Sequence, residues 1–520
     1  MNATTFAPLT QSAMLRSQPC VNINTVMRYT SSTSVRHQRP VNTRSVIKRS
    51  GVNASTSVRT RELLAFPAAD DPSTRPQPMT DASFLQSLEL NEDRFVSLLR
   101  NLIGEAEYLQ NTGVGTAYVP QEDRAIKHVL EVLAPHRKEN GGPLEIDHVT
   151  YAEGRGNLII KYPGTGSSED VLSFVGSHLD VVPANPDAWK VDPFSLTVDG
   201  DKLYGRGTTD CLGHVALMTT LFSQLAELKP ELKTTLTCVF IASEEASGPG
   251  IGVDGLVAEG RLDHCKPGPV IWVDCADSQP CIGTAGAITW HLTANGHRFH
   301  SGLPHKGINA IEMGMEAVSR IQQKFYESFP ACEKEREYKF ITPSTMKPTQ
   351  VKCAPGGLNQ IPPEATISGD IRLTPFYDVA ALKACIEAEV AAINADIESL
   401  PVRGPCSKYV IRPEDGEPIV GHLKLEWGDH LLTGIACDLT SPAFKLMCDS
   451  IKDVKGMAEP YSLTGSLPLV HDMQSEGFDI QLIGFGLMST YHADNEYCSL
   501  NDMKDAARIL ATLIAKFDLR

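Results

Sequence analysis

No stretch of the 520 residues approaches a run of about 18 apolar positions, so no conventional membrane-spanning helix is expected. The 13 cysteines are scattered from Cys20 to Cys498 without one Cys-x-x-Cys pair. An odd, dispersed set of this kind does not read as a disulfide framework and fits a reducing, intracellular compartment. Cys238 and Cys275 lie inside apolar runs and read as small core residues. Internal repeats are absent, as are low-complexity tracts beyond the N-terminus. Acidic residues are missing from positions 1–61, which hold eight Arg, Lys48 and 18 Ser/Thr. Without the long apolar core of a secretory signal, this start matches an organelle transit segment over 1–65, with a disordered basic tail as the alternative.

What remains is strongly acidic. Nine of the 47 basic residues fall in 1–61, leaving 38 against 63 acidic ones over 62–520, a charge of -25. Such a body argues against nucleic acid or an anionic membrane as partner, and leaves open a metal or a small cationic substrate. The 42% hydrophobic and 21% charged composition is that of a globular chain with one large core or more.

After a Pro/Asp-rich stretch at 67–78, helical spacing runs through 82–134, with Leu88, Phe95, Leu98, Leu99 and Ile103 on one face. From 157 onward short apolar runs (157–161, 171–176, 236–242, 270–273) alternate with longer stretches such as the helix expected over 213–228. That alternation predicts an α/β domain with a mixed, mostly parallel sheet flanked by helices over 80–285, resumed over 431–520. Between them, 286–430 alternates as strand, helix, strand, helix (288–293, 309–326, 366–373, 380–397) and reads as an inserted α+β module. Function in such sheets collects at the carboxyl ends of the strands.

Those ends carry the chemistry. The run 171–176 leads into Ser177-His178-Leu179-Asp180, where His178 and Asp180 project to one side as a ligand and its supporting partner. Taken alone, a His-x-Asp is more often a surface polar pair. Residues 204–210 place Asp210 just before a helix, and 236–242 ends in Ser243-Glu244-Glu245. Two adjacent carboxylates at a sheet mouth are costly to desolvate unless a cation neutralises them, although a solvated pair is the bland alternative. Asp274 follows 270–273 and His492 follows 480–485. Two imidazoles (His178, His492) and three carboxylates (Asp210, Glu245, Asp274) suit two divalent ions of the zinc type sharing one carboxylate. Glu244 is left over as a general base for water attacking a polarised carbonyl.

The segments 177–183, 205–210, 243–245 and 491–493 occur in the order and spacing of the M20 family of metallopeptidases and deacylases. Within it the chain resembles most the plant-like branch that deacetylates acetylornithine, over essentially all of 80–520; 192–195, 207–215, 343–350 and 369–376 are the nearest stretches. The resemblance implies a di-zinc exopeptidase-like fold with a ferredoxin-like lid and dimerisation domain at 286–430, a homodimer, and two divalent cations, Zn²⁺ first and Co²⁺ as the alternative. It implies His178, Asp210 and Asp274 around one cation and Asp210, Glu245 and His492 around the other, Asp210 bridging. Glu244 is the implied general base and Asp180 the residue that orients His178. His300 matches a lid histidine that reaches a substrate across the dimer, and Arg372 and Asn359 match lid positions near the substrate carboxylate or tetrahedral intermediate. The implied reaction hydrolyses N2-acetyl-L-ornithine to L-ornithine and acetate, for arginine synthesis.

Two departures keep alternatives open. Cys211-Leu212-Gly213 stands where the family usually has Met-Lys-Gly. Asp274 stands where deacylases of the family commonly carry Glu and dipeptidase-like members Asp, a difference in reach of about 1.5 Å. A dipeptidase, or a deacylase of another N-acyl amino acid, is therefore the second reading, and a non-catalytic metal-binding scaffold the third. Asp277 is a substitute for Asp274 as ligand. His214, His297 and His305 lack a carboxylate in register and are expected at the surface or on helix faces, and Trp189, Trp272 and Trp290 in the packing.

Overall fold

Because Val171–Val175, Thr235–Phe240, Pro269–Cys275 and Asp479–Gly484 are almost wholly apolar, they need cover on both faces. In a computed structural model describing residues 82–111, 119–245 and 248–520, they form the four parallel central strands of an eight-stranded sheet. The basic N-terminal segment lies outside the described residues. The sheet order is Glu145–Ala152, Arg155–Tyr162, Thr235–Phe240, Val171–Val175, Pro269–Cys275, Asp479–Gly484, Cys281–Thr284 and Tyr461–Leu463. Antiparallel pairing at the flanks makes the sheet mixed. The half-exposed strand Glu145–Ala152 was not legible beforehand, since its polar residues give no clean alternation.

One face is covered by the helices Glu92–Glu105, Asp123–Leu133, Leu212–Leu228 and Leu500–Asp518, which share one apolar core with the strands. The predicted stripe Leu88, Phe95, Leu98, Leu99 and Ile103 is buried there. Leu212–Leu228 lacks a polar face and is buried over most of its length, as an all-round apolar helix must be. Each Leu, Val or Phe so buried contributes about 1.5–3 kcal/mol relative to exposure. The short helices Val253–Ala258 and Val470–Ser475 help close the other face over a second cluster that includes Trp272 and Leu482.

From Val171–Val175 the chain passes to Thr235–Phe240 on one side and then to Pro269–Cys275 on the other. This reversal is a topological switch point, where loops diverge and leave a crevice at the carboxyl ends of the strands.

The inserted module is ferredoxin-like. Its order is strand Gly286–Asn295, helix Ala310–Ser328, strands Thr345–Cys353 and Glu364–Leu373, helix Val379–Ala395 and strand His422–Leu432. The antiparallel sheet runs Thr345–Cys353, Glu364–Leu373, Gly286–Asn295, His422–Leu432. Period-two burial along the two central strands sends Trp290, Leu292, Ile367 and Ile371 against Met313, Ile321, Leu382 and Ile386 of the helices. Side-chain caps from Asn309 and Asp378 start both helices. Two strands exceed the sequence reading, and Thr345–Cys353 was invisible because seven of its nine residues are exposed.

Candidate metal centre

The chain continues pairing beyond the strand ends: Leu179 N–H donates to the Ile241 carbonyl and Ile241 N–H to that of Ser177. His178 is thereby held beside the turn that carries Glu244 and Glu245. Ser243 adopts a left-handed conformation (φ 63°), which reverses the chain as it leaves the strand. His178 Nδ1 lies 2.9 Å from the Asp180 carbonyl oxygen, a group that only accepts, so Nδ1 carries a proton, and Nε2 points into the site, where it donates to Asp210 until a cation takes its place. Nε2 is 2.9 Å from Asp210 Oδ1 and 3.5 Å from Asp274 Oδ1. Asp210 Oδ2 lies 3.0 Å from His492 Nε2, which is 3.1 Å from Glu245 Oε1. Asp210 thus touches both imidazoles, one with each oxygen.

The Asp180 backbone carbonyl, more than its carboxylate, holds His178; Oδ1 is 3.6 Å from Nδ1 and accepts instead from the Glu244 N–H over 3.1 Å. The Asp210 loop has a further anchor that the sequence did not single out. Glu496, fully buried, accepts from the backbone N–H groups of Gly207, Thr209 and Asp210 and from the Arg206 guanidinium at 2.7–3.0 Å. Gly207 (φ +94°) permits that turn, which other residues adopt only with strain. Glu122, bidentate to Arg155, accepts from the Ser243 N–H and braces the opposite turn. Glu496 is only four positions beyond His492, but its partners are nearly 290 residues away in sequence, and no local pattern marks that contact.

Four carboxylates, Asp210, Glu244, Glu245 and Asp274, line one cavity of about 500 Å³ together with Tyr491, His492 and Leu432, the last residue of the inserted module's final strand. Burial pushes Glu244 well above the ordinary carboxylate range, with Asp274 adding repulsion. Burial, with His178 partly offsetting it, also raises Asp274, whose Oδ2 is buried without a hydrogen-bond partner among the described residues. Burial opposes ionisation of Asp210 too, but hydrogen bonds to His178 and His492 outweigh it and hold Asp210 low. A site this anionic, with one carboxylate oxygen unpartnered, fits divalent cations. The donor atoms of Asp210, Glu245 and His492 lie within 4.8 Å of one another, as do those of His178, Glu244 and Glu245.

This electrostatic balance sets a pH dependence. Hydrogen bonds to Asp210 and then Glu245 push His492 up to about 11, while burial and the neighbouring Asp210 push Glu245 up to about 7. A proton on His492, and at lower pH on Glu245, must leave before these atoms bind a cation. Metal uptake near pH 7 is therefore expected to release protons, with apparent affinity strengthening as pH rises. Titration calorimetry in buffers of different ionisation enthalpy measures this, and an uptake of protons would contradict it.

His300, Asn359 and Arg372 do not line this cavity. His300 and Asn359 sit together where Ser301 N–H donates to the Asn359 carbonyl, and Arg372 pairs with Asp370 at 2.8 Å. Asp277 accepts from the Met488 N–H, which ties a loop, and it is not among the residues that line the cavity. His214 lies on its helix, not at the surface: it is fully buried between Cys211 and the Phe485 backbone, because the helix has no exposed face at that point. Trp189, Trp272 and Trp290 are buried as expected.

Residues 174–516 match the model of peptidase family M20/M25/M40. The chain belongs to this family. Among its M20 relatives, the acetylornithine deacetylase of Arabidopsis thaliana is 53% identical over 431 residues, covering 82% of this chain and 96% of the relative. The acetylornithine deacetylase of Dictyostelium discoideum is 52% identical over 438 residues, covering 82% and 97%. The M20 fold is shared with the dipeptidase Dug1p of Saccharomyces cerevisiae (TM-score 0.59, 17% identity, 84% of this chain and 98% of that one). A dinuclear metal-binding M20 peptidase of Bacillus subtilis also superposes (TM-score 0.52, 14% identity, 82% and 99%). At such identities these two likenesses speak for the fold alone.

Proposed function

We propose that the chain is a metal-dependent amidohydrolase that removes the acetyl group of N2-acetyl-L-ornithine, releasing L-ornithine and acetate. The observation that carries this is the pair of imidazoles joined through Asp210 at the switch-point crevice, with Glu244 beside them; the two deacetylase relatives, similar over nearly their whole length, support the substrate. His178, Asp210 and Asp274 would hold one divalent cation and Asp210, Glu245 and His492 the other, with Zn²⁺ preferred by the mixed nitrogen and oxygen donors and Co²⁺ as a substitute. When bound, the cations acidify water and polarise the amide carbonyl. Glu244, in its buried position, takes the proton from the attacking water and delivers it to the leaving amine. Asp180 fixes the Glu244 backbone and the His178 ring, and Glu496 holds the Asp210 loop.

The ferredoxin-like module is read as a lid and dimerisation domain, with His300 serving a partner's site and Arg372 and Asn359 meeting the substrate as it closes. That placement accords with their positions off the cavity of their own chain. Residues 1–65 are read as an organelle address; among the described residues no helix is long and apolar enough to cross a membrane.

The test is a side-by-side assay of metal-loaded protein on acetylornithine, acetylmethionine and small dipeptides. Acetylornithine is expected to give the highest kcat/KM. Asp274 favours the dipeptidase reading as second, and a large preference for dipeptides would establish that reading instead.

A further inference from the structure

Cys211 and His214 are fully buried beside the metal centre and have no part in the mechanism above. The Cys211 sulfur, a His178 ring nitrogen and an Asp274 carboxylate oxygen all lie within 4.8 Å of one another. Asp274 Oδ2 is buried and unpartnered among the described residues. His214 lies against the sulfur. The Phe485 backbone meets His214 Nε2 with both its N–H, at 2.8 Å, and its carbonyl oxygen, at 3.0 Å, so the other ring nitrogen is the one turned to the sulfur. Nδ1 is 2.9 Å from Cys211 Sγ. With its proton on Nδ1 the imidazole donates to the sulfur and leaves another sulfur lone pair for a cation, the relation that an outer partner has to a metal ligand.

We propose that Cys211 is a sulfur ligand of the cation held by His178 and Asp274, with His214 positioning the sulfur; this rests on the metal-hydrolase reading. Binding replaces the S–H bond by a sulfur–metal bond, and the proton passes to solvent. A thiolate in the set favours zinc or cobalt over magnesium, calcium or manganese, which prefer oxygen.

The experiment strips the full-length protein with a chelator and reloads it with Co²⁺ or Zn²⁺. Wild type is expected to show a near-ultraviolet sulfur-to-cobalt charge-transfer band and, with zinc, a Zn–S distance of about 2.3 Å by X-ray absorption. Cys211→Ser should lose both while retaining the visible cobalt bands. Cys211→Met, which restores the residue usual in the family, tests the same loss of thiolate in case the serine variant does not fold. His214→Gln should shift the charge-transfer band and weaken metal affinity about 10- to 100-fold. If wild type binds cobalt and hydrolyses amides but shows neither the band nor the Zn–S shell, the sulfur ligand is overturned and the hydrolase reading stands. If no metal is taken up, both fall.

Discussion

Replacing Glu244 with Gln is expected to lower kcat by about 10²–10⁴-fold, the usual contribution of a general acid–base group, and to leave the metal content unchanged. The substitution keeps the side-chain shape and the backbone bond from the Glu244 N–H to Asp180, but removes the ability to accept a proton. Glu244 is 5% exposed at the cavity wall, so bulk water cannot readily replace it as base. Removing its charge also relieves repulsion with Asp274, which favours retention of the fold. Steady-state kinetics on acetylornithine, with metal quantified by mass spectrometry, separates the two effects. Turnover within a few-fold of wild type would exclude Glu244 as the base, whereas parallel loss of metal would make it a ligand.

Asp210→Asn is expected to disturb both metal positions at once and to abolish measurable hydrolysis. Each oxygen of Asp210 faces a different histidine, at 2.9 and 3.0 Å, so no other residue can substitute for its double contact. The amide leaves a poor neutral donor on one side and an N–H directed at an imidazole or a cation on the other. Metal affinity should fall by more than the roughly 10- to 100-fold cost of losing an outer-shell partner. Calorimetry gives an independent readout. A metal held at 100 times its Kd stabilises the folded state by about 2.7 kcal/mol, so chelation should lower the Tm of wild type. The Tm of Asp210→Asn should be nearly indifferent to chelator; a full wild-type shift in the variant would remove Asp210 from the shared position.

Much of the site was legible because strand ends are local features. Each of His178, Asp210, Glu244, Glu245, Asp274 and His492 follows a recognisable apolar run or precedes the long helix, and a parallel sheet brings such ends together. The supporting residues were less visible. Glu496 and Glu122 act on backbone N–H groups far away in sequence, and those partners have no residue-type signature. Of the two places expected for His214, the surface falls and the helix face holds, but that face is buried, where the backbone of Phe485, distant in sequence, meets its ring. Edge strands such as Thr345–Cys353 escaped for a different reason: exposed on both faces, they obey no apolar period.

The amino-acid sequence by itself determined the buried parallel strands, the amphipathic helices and the chemical inventory of the crevice, because burial imposes a period on local residue types. It also contains the acidity of the body, part of which is now located in Asp210, Glu244, Glu245 and Asp274. Only the tertiary structure decided that Asp210 faces both imidazoles, that Glu496 clamps its loop, and that Cys211 rests against His214. Those relations depend on the direction of individual lone pairs and N–H groups, which are set when distant segments pack and leave no trace in local spacing.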